Sequence, residues 1–202
     1  MRLILALDVS TTTTGYVVIN EQLALLSYGQ FCIKDRHLTD IQYATVITKE
    51  VFKIIKHFKA TDLIIEDVFF GKNVGNLKTW CRVHGAVGMS WAVKHNEPQF
   101  MMAVEARKRV GMSGRATKIE IQLEVSKMYN LVKNSVYIAY KSQFEELVKQ
   151  REGKKFTKNQ FDYRVQKLSK AFEEETGVSE HIADANVLAR AYLQKLGEQQ
   201  NG

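Results

Sequence analysis

The chain has 202 residues, of which 45% are hydrophobic, 10% aromatic and 25% charged, enough apolar material for one well-packed domain with an extension and awkward for two. No apolar run approaches the roughly 20 residues that a helical membrane span needs, which excludes that class. A net charge of +7 and a pI near 9.3 favour a polyanionic partner, a balance that ribosomal, membrane-surface and merely soluble basic proteins share.

Residues 2–9 (RLILALDV) are apolar on both alternating faces, as in a central strand covered on both sides. An Arg before a short apolar run superficially suggests a secretory leader. Asp8 interrupts the run after five residues and no small-residue cleavage site follows, so a strand is the better reading. After the turn-rich STTTTG, Tyr16–Asn20 and Leu23–Ile33 read as two more strands joined at Glu21-Gln22. Thr39 and Asp40 can cap a helix with the stripe Ile41, Ala44, Ile47, Val51, Ile54, Ile55 and Phe58. Asp62–Glu66 (DLIIE) is a fourth strand, reached by a crossover.

A helix then carries Leu77, Trp80, His84, Val87 and Trp91 at helical spacing, and Gln99–Val104 reads as a weak fifth strand. From about Lys118 onward the pattern is helical. Residues 134–176, rich in Lys, Glu and Gln with scattered aromatics, read as an inserted helical pair turning at EGKK, residues 152–155. Cys32 and Cys81 are far apart, without a second pair or a His at metal-finger spacing. They are expected as buried, reduced thiols of a cytosolic protein and not as a zinc site.

Three strands in meander, then helix, strand, helix, strand and helices, is the order of an RNase H-like α/β fold. It implies a five-stranded mixed sheet flanked by helices, with the insert before the last helix, and residues 1–202 as a single domain. With a right-handed crossover the fourth strand joins beside the first, at the switch point where open α/β sheets place their sites.

Asp8 ends the first strand and Glu66 the fourth. Two carboxylates at one sheet edge repel unless a cation separates them, and Mg²⁺ takes such oxygen clusters. In the last helical segment, SEHIADANVLARAYLQKL, Ser179 is a plausible N-cap, and Ala185, Leu188, Ala189, Tyr192 and Leu196 form the packing stripe. His181 and Asp184, three residues apart, share one face of its first turns. Taken alone, each of these residues is explained as a strand end or a helix cap. Together they make a four-group candidate metal site.

LALDVSTTTTG, IIEDVFFGKNVGNL, VEARKRVGMSGRATKIEI (Val104–Ile121) and HIADANVLARAY each resemble a motif of the RuvC family of Holliday-junction resolvases, in the same order. The likeness spans roughly the first 130 residues and the last 25, and the insert has no counterpart in it. The resemblance implies that Asp8, Glu66 and Asp184 are acidic metal ligands, while His181 falls where the family has either a fourth acid or a His. Phe69 matches an aromatic that packs on a base near the crossover, with Lys72 and Asn73 of the same segment as further DNA contacts. Lys118 matches a basic residue near the scissile phosphate, with a catalytic role. Arg107 and Lys108 fall near another DNA-contacting position, and Arg115 is an extra basic residue in an altered turn.

By that resemblance the chain is a crossover junction endodeoxyribonuclease. It would use two Mg²⁺ or Mn²⁺ ions per active site to nick four-way junctions or other branched DNA symmetrically, leaving 5′-phosphate and 3′-hydroxyl ends. His181 is placed either on the metal or on the attacking water. A homodimer is implied, with the Leu77–Trp91 helix as candidate interface, and both Trp residues equally compatible with the core. The location would be the cytoplasm of a bacterium or of a phage-infected cell. Removing residues 134–176 is expected to change substrate choice more than chemistry. The alternatives are an RNase H-like nuclease for flaps, forks or RNA–DNA hybrids; a small actin-like or sugar-kinase-like ATPase, because of DVSTTTTG; and a non-catalytic DNA-binding module.

Overall fold

The computed structural model describes the backbone of residues 1–10, 12–35, 37–68, 74–153 and 155–201. Strands β1 (Leu3–Val9), β2 (Thr13–Asn20) and β3 (Leu25–Cys32) form an antiparallel meander. Helix α1 (Asp40–Phe58) crosses over to β4 (Asp62–Glu66), which lies parallel to β1. Helix α2 (Val74–Ala92) leads to β5 (Gln99–Met101), parallel to β4. The sheet order is β3-β2-β1-β4-β5, the five-stranded mixed sheet expected.

Local chemistry explains the main boundaries. Thr39 caps α1 reciprocally with Gln42 in a capping box, and Lys59 closes the helix in the left-handed conformation. Most of the expected α1 stripe is buried, but Ile41 is exposed and Tyr43 takes the inward place in the first turn, its hydroxyl donating to the Ser10 carbonyl. The fifth strand is shorter than Gln99–Val104. From Ala103 the chain enters helix α3 (Ala103–Arg109), with Met102 as its N-cap. Cys32 and Cys81 are free thiols as expected, but exposed and not buried. Cys32 ends a strand at the sheet's edge, and Cys81 sits on the outer side of α2. Trp91 belongs to the core, whereas Trp80 is half-buried.

The period of two divides the sheet's side chains between two layers. Leu5, Leu7 and Val9 of β1, with Leu63 and Ile65 of β4, face α1 and α2. Ile4, Ala6 and Ile64 face the opposite way, against the stripe Ala185, Leu188, Ala189 and Tyr192 of α7 (Glu180–Asn201). By the same alternation Asp8 and Glu66 emerge on the α7 face, at the carboxyl ends of neighbouring parallel strands.

A third cluster lies beside this layer. Helices α4 (Lys118–Met128), α5 (Asn134–Glu152) and α6 (Lys158–Thr176) bury Ile119, Leu123, Tyr140, Val165, Leu168, Phe172 and Val178 together. The α5–α6 hairpin is the expected insert, with its turn beginning at Gly153. It shares its core with α4, and Gln122 of α4 ties it to the chain before α7 through the carbonyls of Ser169 and Val178.

Candidate active site

The register of the sheet sets the first two carboxyl groups. Leu7 pairs with Ile65 across the parallel β1–β4 ladder, so Asp8 and Glu66, one residue further on, stand side by side on the α7 face. Across the antiparallel ladder Asp8 is opposite Gly15. At Gly15 a Cβ would lie 2.3 Å from the His181 carbonyl carbon and 2.4 Å from its oxygen. The start of α7 therefore rests directly on the β2 backbone. Ser179 orients that start: its Oγ accepts from the Ile182 N–H at 3.2 Å.

This docking brings His181 and Asp184 onto the strand ends. His181 Nδ1 donates to Asp8 Oδ2 at 2.6 Å, and Arg107 of α3 donates from Nη2 to Asp184 Oδ1 at 2.9 Å. Glu180 joins Lys118 of α4 in an ion pair, and its other oxygen lies 3.9 Å from His181 Nε2. A chain of polar contacts thus runs Lys118–Glu180–His181–Asp8.

The electrostatics are those of crowded buried acids. Burial, reinforced by the charges of Asp8 and Asp184 and by a hydrogen bond to Asp8, pushes the Glu66 carboxyl well above the usual carboxylate range. Burial likewise pushes Asp184 up to about 6, against the opposing pull of Arg107. Burial alone would lower the His181 imidazole, but its bond to Asp8 and that carboxylate's charge leave it raised.

Three converging oxygen donors and an imidazole suit a hard divalent cation. Among the described residues no three His, Cys, Asp or Glu side chains stand at coordinating separation in this arrangement, because the donors are engaged with one another and with Arg107. The excess of buried acidity is the feature that a cation relieves. Asp8, Glu66 and Asp184 are the candidate oxygen donors for such a cation, with His181 beside them.

The remaining residues singled out from sequence fall in three places. Lys108, Arg115 and Lys118 are exposed around the site. Arg107 turns inward, onto Asp184, while its neighbour Lys108 points to solvent. Phe69, Lys72 and Asn73 lie outside the described residues.

Three residues with a part in the site were not candidates from sequence. Gly15, the last residue of LALDVSTTTTG, shows its importance only through the close approach of α7. Glu180 looks like a helix-start acid until Lys118 is placed beside it. His84, which stood out only as part of a helical stripe, is buried, with Nε2 2.9 Å from the Glu66 carbonyl and Nδ1 2.8 Å from that of Trp80. It fastens the end of β4 to α2. Trp80 and His84 also line a cavity of about 150 Å³ that opens beside Asp8 and Glu66.

The family model described as "Crossover junction endodeoxyribonuclease RuvC" matches residues 4–140, which include β1, β4 and the basic segment around α3. The chain belongs to the RuvC family. Relatives carrying that same description include one from Cronobacter sakazakii (strain ATCC BAA-894), 33% identical over 138 residues, 66% of this chain and 78% of the relative. A second, from Alkaliphilus oremlandii (strain OhILAs), is 28% identical over 135 residues, 65% of this chain and 81% of the relative. Among solved structures, Thermus thermophilus RuvC superposes with a TM-score of 0.64 at 14% identity, over 98% of this chain and 96% of that one. The structure titled "T. thermophilus RuvC in complex with Holliday junction substrate" gives 0.63 at 14% identity, over 100% of this chain and 97% of that one. Both likenesses establish the RNase H-like fold shared by the RuvC family.

Proposed function

We propose that the chain is a metal-dependent endodeoxyribonuclease that resolves four-way DNA junctions by paired, symmetric nicks. The carrying observation is the convergence of Asp8, Glu66 and Asp184 on one buried spot, with burial and mutual repulsion raising the Glu66 and Asp184 carboxyls, in a member of the RuvC family. Bound Mg²⁺ or Mn²⁺, two ions per site, would activate the attacking water and neutralise the leaving 3′ oxygen.

The chain's own groups supply the rest. Asp8, Glu66 and Asp184 would hold the ions, with Arg107 released from Asp184. His181 keeps Nδ1 on Asp8, and its free Nε2 is positioned to accept a proton from the water. Water adds to phosphorus as the P–O3′ bond breaks, giving 5′-phosphate and 3′-hydroxyl ends. Lys118, freed from Glu180 by a substrate phosphate, stabilises the charge at the scissile group, and Lys108 and Arg115 grip neighbouring phosphates. All 202 residues act as one domain, in the cytoplasm of a bacterium or of a phage-infected cell.

Two symmetric cuts call for two sites related by a two-fold axis, hence a homodimer. The outer face of α2 supports this. Met89 of α2 is 73% exposed and Phe100 of the neighbouring β5 42%, and with Gly85, Gly88, Ala92 and Pro98 they line an open, mainly apolar groove.

The test is cleavage of end-labelled four-way junction, Y-fork and linear duplex DNA with Mg²⁺ or Mn²⁺, against an Asp8→Asn control. Paired nicks in the junction, absent from the control, are expected. Equal cutting of forks or flaps would replace resolvase by a broader branched-DNA nuclease. Metal-dependent nucleotide hydrolysis without nicking would overturn the nuclease reading.

A further inference from the structure

The family model ends at residue 140, and the chemistry above makes no use of the rest of the α5–α6 hairpin. Charge is divided along that hairpin. Residues 149–167, around the turn, hold seven Lys or Arg against only Glu152 and Asp162, whereas residues 173–175, next to α7, are three consecutive glutamates. The hairpin's own ion pairs, Lys141–Glu145 and Lys170–Glu174, both 3.8 Å, lie outside the basic stretch. Among the described residues Lys149, Lys155, Lys158, Arg164 and Lys167 are exposed, and none of them is paired with a carboxylate.

Aromatic rings hold several of these cations in place. The Arg164 guanidinium lies 4.2 Å from the Phe156 ring centre, Lys167 Nζ 5.1 Å from that of Tyr163, and Arg151 5.9 Å from that of Phe161. Such contacts restrain a cation while leaving its charge unneutralised. Tyr163 is itself 58% exposed.

Position gives the cluster a reach. The base of the hairpin lies next to the site: α6 ends three residues before α7 begins, and Gln30 of β3 donates to Glu173 at 3.3 Å. The 19 residues of α6 span about 28 Å at roughly 1.5 Å each. The basic turn therefore lies about 28 Å along α6 from the hairpin's base, the length of about eight base pairs at roughly 3.4 Å per pair.

We propose that this basic turn is a second DNA-contacting surface, which grips the phosphate backbone of a duplex arm up to about eight base pairs from the cleavage point at roughly 3.4 Å per pair. The proposal rests on the branched-DNA reading above. Acidic glutamates at the base and cations at the turn then direct the arm outward along the hairpin instead of across its root.

The test uses the full chain in an Asp8→Asn background, which binds without cutting, with and without the combined changes Lys149→Gln, Lys155→Gln, Lys158→Gln and Lys167→Gln. Dissociation constants for four-way junctions with arms of about 5 and about 20 base pairs, chosen to fall short of and exceed the reach estimated at roughly 3.4 Å per pair, are measured across a salt series. Without the substitutions, long arms are expected to bind tenfold or more tighter. The quadruple variant loses that advantage, and its plot of log affinity against log salt for long arms is shallower by about 2 to 4, at roughly 0.9 for each phosphate no longer neutralised. Unchanged affinity and slope on long arms would overturn the proposal, as would an equal loss on short and long arms, which is the mark of a long-range field and not of a local grip. If the unsubstituted protein binds neither junction, the branched-DNA reading itself fails and takes this proposal with it. Unaltered circular dichroism melting of the quadruple variant confirms that it folds.

Discussion

At Gly15 the sheet has no room for a methyl group, since a Cβ would overlap the backbone of His181 at 2.3 Å. Gly15→Ala must therefore lift the start of α7 and separate His181 and Asp184 from the strand carboxyls. A fall of tenfold or more in single-turnover cleavage is expected, with a stability cost of about 1–3 kcal/mol. Unchanged cleavage would show that this close approach does not set the site. Glu66 makes the opposite case, in which function is installed at the expense of stability. Its carboxyl is forced towards the protonated form by burial and by two acidic neighbours. Glu66→Gln keeps a donor towards Asp8 and removes the titrating charge. The metal-free variant should melt later at neutral pH, by about 1 kcal/mol, yet fail to cleave; earlier melting would contradict the electrostatic account.

The elements differ in what they owe to the site. Helix α7 is both the cover of one sheet face and the carrier of two site residues, so its packing and its chemistry cannot be varied separately. The α5–α6 hairpin shares a core with α4, and outright removal of residues 134–176 strips the cover from Ile119 and Leu123. Phe172, fully buried at their junction, tests this coupling. Phe172→Ala should cost about 3–5 kcal/mol in denaturant unfolding, and a loss under about 1 kcal/mol would mean that the hairpin is a loosely held appendage. On α2, a charge placed in the exposed apolar groove should disfavour self-association. Met89→Glu is expected to give monomers in sedimentation and to abolish paired nicking while single nicks persist. Dimers that survive the change would move the interface elsewhere.

Across the whole molecule, the site's buried acids link stability to pH and to divalent ions. Asp184 rises from its ordinary value of 3.8 to about 6 in the fold, and His181 is also raised. For a group raised on folding, the stabilisation is complete below the unfolded value and disappears as pH climbs through the folded one. In chelator the melting temperature should therefore fall between about pH 4 and pH 7. Mg²⁺ should restore little at the acid end and most at neutral pH, where the carboxylates are free to bind it. A metal-free melting temperature that rises across this window would contradict the raised values.

Much of this arrangement is legible in the residues themselves. Most of the strand segments, the helix cap at Thr39 and the stripe on α7 follow from local propensity and period, which act within a few residues and need no partner. The alternation along β1 and β4 also marks Asp8 and Glu66 as polar ends of otherwise apolar strands. Periodicity overextends β5 through Val104 and places Ile41 inside, because neither error violates a local rule; only the packed sheet shows where each helix begins to touch it. The two cysteines, expected inside, are exposed for the same reason. What tertiary structure alone decides is which charges meet. Arg107 on Asp184, Glu180 between Lys118 and His181, and a glycine beneath His181 are pairings across long stretches of chain, set by β1–β2 register and the docking of α7, and no pattern within a single segment encodes them.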